Sequence, residues 1–92
     1  MKKFVRFTEL KSGDTNKYFV EENKIGEAVQ KLAVFENMLG AFAKDMDNLP
    51  GRLAELRKAG KDKTVAYKEL VTQKLINTNI LMFFKKHGIY ID

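Results

Sequence analysis

The stretch Thr64–His87, TVAYKELVTQKLINTNILMFFKKH, carries apolar side chains at helical spacing on two sides. Tyr67, Leu70, Val71, Leu75, Leu81 and Met82 form one stripe. Val65, Ile76, Ile80, Phe83 and Phe84 form the other, on roughly the opposite side at about 100° per residue. A helix with one apolar stripe packs on one neighbour, whereas a helix apolar all round needs cover on several sides. The rest of the chain must therefore be arranged around this helix, and its second stripe needs either the chain's own N-terminus or a second chain.

The first cover is legible upstream. Ile25, Leu32, Leu39 and Met46 recur every seven residues, and Ala28, Phe35, Phe42 and Leu49 follow each of them by three. That is an a/d seam, the pattern of coiled-coil-like packing. Val29 and Ala43 widen it. Gly26 and Gly40 weaken such a helix by roughly 1 kcal/mol each relative to alanine, or let another backbone come close. Asn23 is placed to cap the helix at its start. The helix is expected over about Lys24–Asn48, with Asn48-Leu49-Pro50-Gly51 breaking it, because proline does not suit a helix interior. A short separate helix then follows over 52–59, with Leu53 and Leu56 inward and Gly60 ending it. Thr64 or Asp62 caps the second long helix.

Before the seam, KFVRFTEL at 3–10 and KYFVE at 17–21 suit strands, and SGDTN at 12–16 is a turn cluster in which Asp14 and Asn16 are able to bond nearby backbone. Together they predict a β-hairpin, which is marginal alone and needs a helix to pack on. Val5, Phe7, Tyr18 and Val20 are then available to cover the second stripe of the 65–86 helix. After Gly88, IYID reads as a short additional strand. The expected fold is α+β and mainly helical, in the order ββαααβ: an antiparallel helical hairpin on a small sheet. The 92 residues make one domain, 1–92.

Composition narrows the functional classes. Apolar residues are 45% and charged residues 32% of the chain, which is globular rather than disordered. There is no cysteine, hence no disulfide and no thiolate chemistry, which leans towards a cytoplasmic location. The opening MKKFVRF has no apolar run of signal-peptide length, and no stretch is long enough to span a membrane.

Motifs for catalysis fail on inspection. His87 is the sole histidine and stands beside Gly88, where it reads as a helix C-cap; without cysteine or a second histidine, zinc has no ligand set. Asp45-Met46-Asp47-Asn48 begins like a calcium loop, but Pro50 and Leu56 stand where glycine and glutamate are needed. Gly60-Lys61 faintly suggests a phosphate loop, but Glu55 replaces its first glycine and Asp62 its Ser/Thr. Neither an enzymatic role, nor a cofactor, nor a small-molecule substrate is expected.

Two surfaces remain as candidates. Net charge is +5, and residues 50–74 carry most of it: Arg52, Arg57, Lys58, Lys61, Lys63, Lys68 and Lys74 against Glu55, Asp62 and Glu69. Clustered basic side chains neutralise phosphates, or simply solvate a helix face. The second candidate is a protein interface at Ile76, Ile80, Phe83 and Phe84, serving a homodimer or another protein partner. Asn77 and Asn79 interrupt this helix, with Thr78 between them placed to bond back to a carbonyl. They are either surface residues, or one of them is a buried amide that fixes the register of a helix pair. The leading expectation is a non-enzymatic interaction module that uses the 65–86 helix, and the alternative is a nucleic-acid-binding accessory protein that uses 52–74.

Overall fold

The structure is a computed structural model that describes residues 4–13 and 16–91. It is α+β and mainly helical. A hairpin of β1 (Thr8–Leu10) and β2 (Tyr18–Val20) is followed by a 3-10 turn at Glu22–Lys24, then α1 (Ile25–Lys58) and α2 (Val65–Lys86). The described residues fall into two compact units, Met1–Asn37 and Met38–Asp92, with α1 passing through both.

In the first unit the strands pair antiparallel, with Thr8 opposite Val20, Glu9 opposite Phe19 and Leu10 opposite Tyr18. The strands are shorter than the strand-forming residues suggested, since 4–7 approach β1 without joining the ladder. That approach is fixed by Lys31 of α1. Its ammonium donates to the Val5 carbonyl and sits 4.5 Å from the Phe4 ring centroid and 5.3 Å from that of Phe7. Arg6 lies 5.3 Å over the Tyr18 ring, and its Nε donates to the Thr8 carbonyl and hydroxyl oxygens at 3.1 Å. The Lys31 contacts join the approach to β1 to α1, and the Arg6 contact joins that approach to β2. Asp14, read above as a turn residue, lies outside the described residues.

Asn23 does not cap α1. It lies inside the 3-10 turn that precedes the helix, and Glu21 before that turn makes no side-chain cap bond. The larger correction concerns Pro50. Instead of ending one helix and starting another, it lies inside a single 34-residue α1. The reason is the seam. Leu39, Phe42, Met46, Leu49, Leu53 and Leu56 keep alternating steps of three and four straight through the proline. Leu49 and Leu53 are the most buried apolar residues, at 5% and 3% exposure. Burying two leucines stabilises by roughly 3–6 kcal/mol, against about 3 kcal/mol for an interior proline. A break at Pro50 would turn Leu53 off the seam.

In the second unit α2 runs antiparallel to α1. Phe42 meets Phe84 edge-on at 5.7 Å near one end, and Leu56 and Ala59 share a cleft with Ala66 and Leu70 at the other. The turn between the helices is closed by local chemistry. Gly60 (φ 71°) donates to the Arg57 carbonyl, and Lys61 donates to the Leu56 carbonyl. This is a Schellman ending, which needs the left-handed conformation glycine adopts freely. Thr64 then caps α2: its hydroxyl accepts from the Tyr67 amide at 3.2 Å and donates to the Lys61 carbonyl at 2.7 Å. Gly88 (φ 85°) ends α2 in the same way, with Ile89 donating to the Phe84 carbonyl. The expected C-terminal strand is not formed. Residues 89–91 have no regular structure, because the amide of Ile89 is spent on the helix end.

Candidate interaction surface on α2

The face that α2 turns to α1 is centred on Leu70, Asn77 and Phe84, one residue every two turns. Leu70, Ile80, Leu81 and Phe84 are half-buried and Asn77 is buried, at 4% exposure. This face draws from both sequence stripes and splits each of them. Tyr67, Leu70 and Leu81 turn in from the first, while Val71, Leu75 and Met82 stay out. Ile80 and Phe84 turn in from the second, while Val65, Ile76 and Phe83 stay out. One helix in contact therefore leaves two bare apolar edges. Leu75 and Met82 are each 63% exposed on one, and Ile76 and Phe83 are 45% and 61% exposed on the other. Of the four residues proposed from sequence as an interface, Ile76 and Phe83 lie on the surface. Ile80 is half-buried, and Phe84 is engaged with Phe42. Phe83 also meets the His87 ring at 4.7 Å, and His87 is the C-cap of α2.

Asn77 is the residue that hydrophobic patterning could not place. Its Oδ1 accepts from Gln73 Nε2 at 2.7 Å, whereas its buried Nδ2 has no partner among the described residues. It lines a cavity of about 100 Å³ together with Met46, Leu49 and Pro50. Thr78 bonds back to the Lys74 carbonyl at 2.9 Å, and Asn79 is exposed. A buried unpaired amide costs roughly 1–3 kcal/mol. Asn77→Leu should therefore raise stability by about 1–2 kcal/mol, because the neighbouring cavity has room for the larger side chain. Thermal unfolding checks this, and a lower melting temperature would mean that the amide is paired in solution.

The seven basic residues are all exposed, but they do not form one stripe. At about 100° per residue, Arg52 and Arg57 diverge by about 140° around α1, and Lys58 turns a further 100° or so. Arg52 and Lys61 line a cleft of about 500 Å³ with Glu55 and Glu69, so its charge is mixed. Among the described residues no group of three or more His, Cys, Asp or Glu side chains is placed to hold a metal ion. Among the same residues no helix is long and apolar enough to cross a membrane.

No protein family, curated protein or solved structure matches the chain. Its function must therefore be argued from the surface itself.

Proposed function

We propose that the chain is a non-enzymatic interaction module that self-associates, as a dimer in the simplest case, through the apolar surface α2 leaves bare. The observation that carries this reading is the pair of exposed edges, Leu75 with Met82 and Ile76 with Phe83. Scattered single apolar residues are ordinary on a surface; a contiguous pair of edges on one helix marks a site of contact.

Sedimentation velocity of the intact chain at micromolar concentration tests the proposal, and the expected species is a dimer. Met82→Lys with Phe83→Glu, one change on each edge, should weaken association on the order of 100-fold, since burying an unpaired charge costs several kcal/mol. Both side chains are exposed, so helix content should not change. A wild-type chain that stays monomeric throughout the concentration range would overturn the proposal.

Nucleic-acid binding through 52–74 draws less support, because Arg52 and Lys61 share their cleft with Glu55 and Glu69. Phosphate recognition needs cations gathered along one line of contact.

A further inference from the structure

α1 has 34 residues and α2 has 22. Within the second unit Phe42 of α1 meets Phe84 near the end of α2. In the first unit the α1 positions Ile25, Val29 and Leu32 are bare, at 48%, 55% and 54% exposure. Lys31, Ala28 and Phe35 lie to the other side of the seam, where the approach to β1 makes its contacts with Lys31.

The uncovered stripe has a definite charge pattern. Glu22, Ile25, Val29, Leu32 and Glu36 follow one another by alternating steps of three and four, so an apolar centre is bracketed by a glutamate at each end. On the outer side of α2, Lys68, Leu75, Met82 and Lys86 also share one stripe, an apolar pair bracketed by a lysine at each end, with Thr72 and Asn79 between. The two stripes are of similar length: the fourteen steps from Glu22 to Glu36, the first three through the 3-10 turn, rise about 22 Å and the eighteen from Lys68 to Lys86 about 27 Å, a difference the flexible lysines can span. Gly26 and Gly40 flank the α1 stripe, and a side chain added at either would meet nothing within 4 Å, so a partner backbone has room to come close.

We propose that the stripe Glu22–Glu36 of one copy, running from the 3-10 turn into α1, receives the outer α2 stripe Lys68–Lys86 of a second copy, and that a two-fold axis repeats the contact reciprocally. This rests on the self-association proposed above and names its geometry. Each copy contributes one acidic-ended and one basic-ended stripe, so the interface is self-complementary, as a two-fold dimer requires. Opposite charges at the ends fix the register, and the apolar centres supply the burial.

Charge exchange tests it at low salt. One variant carries Glu22→Lys and Glu36→Lys, and the other carries Lys68→Glu and Lys86→Glu. Each variant alone sets like charges against each other at both contacts and should associate at least about tenfold more weakly than wild type. Mixed in equal amounts, they restore both contacts and should form a heterodimer of wild-type strength. If wild type dimerises but the Glu22→Lys, Glu36→Lys variant dimerises equally well, the contact lies elsewhere on α2; the inference fails while self-association stands. Loss of association by both variants with no recovery on mixing also overturns it. A monomeric wild type removes both proposals together.

Discussion

Leu53→Ala should cost about 2–5 kcal/mol, the range for deleting a buried leucine whose surroundings relax only in part. A chain of this length has a total stability of roughly 5–14 kcal/mol, so one substitution removes a large share of the margin. The effect is concentrated because the deep core is small. Among the described residues Leu49 and Leu53 are the buried apolar ones, and around them the seam is half-buried at best. Urea unfolding followed by circular dichroism reads the change. Val34→Ala, at a surface position, is the control and should move stability by no more than about 0.5 kcal/mol. Equal effects for the two would mean that the centre of cohesion lies elsewhere.

Pro50→Ala should act in the opposite direction and stabilise the chain by about 2 kcal/mol. Proline lacks the amide that would donate to the Met46 carbonyl, and its ring crowds that turn; replacing it in a helix interior gains up to ~3 kcal/mol. Part of the gain is lost because proline also restricts the unfolded chain, by about 0.4–1 kcal/mol. The sign separates two architectures. For two helices meeting at residue 50, proline would occupy a favourable first turn and alanine would be neutral or worse. For one continuous α1, alanine wins. A midpoint in urea that falls or does not move would sink the continuous helix.

Proline marks where reading the sequence went astray. Its local preference is strong, and the compensation comes from Leu49 and Leu53, whose burial depends on α2 and cannot be seen in a window around Pro50. The helix ends were legible for the converse reason. Thr64 acts through its hydroxyl on nearby backbone, Gly60 and Gly88 act through their own backbone, and each is found doing what its chemistry suggests. The hairpin was legible from Val, Phe and Thr at its strands, and its short extent was not, because Lys31 draws 4–7 towards α1. The tail after Gly88 looked like a strand by composition, but its first amide belongs to the cap of α2.

The candidate surface was legible in outline only. Two stripes on the 65–86 helix could be counted, but not the angle at which α1 would meet them. Asn77, which the sequence left open as a surface residue or a buried amide, lies at the centre of the contact face. An apolar residue at that position would have made one stripe stand out; the polar one divided the pattern in two.

The unequal lengths of the two helices bear on how α1 forms at all. Residues 25–37 are about as few as a peptide needs before helix formation in water becomes even marginal, because the first turn is costly to nucleate. Their helix is continuous with the stretch where Leu49 and Leu53 are held, and extending a formed helix costs less than starting one. Helix content there is thus a matter of propagation, lost stepwise towards Ile25. Any partner that covers Ile25, Val29 and Leu32 contributes to that propagation as well as burying area, so association and the helicity of the free end become linked quantities.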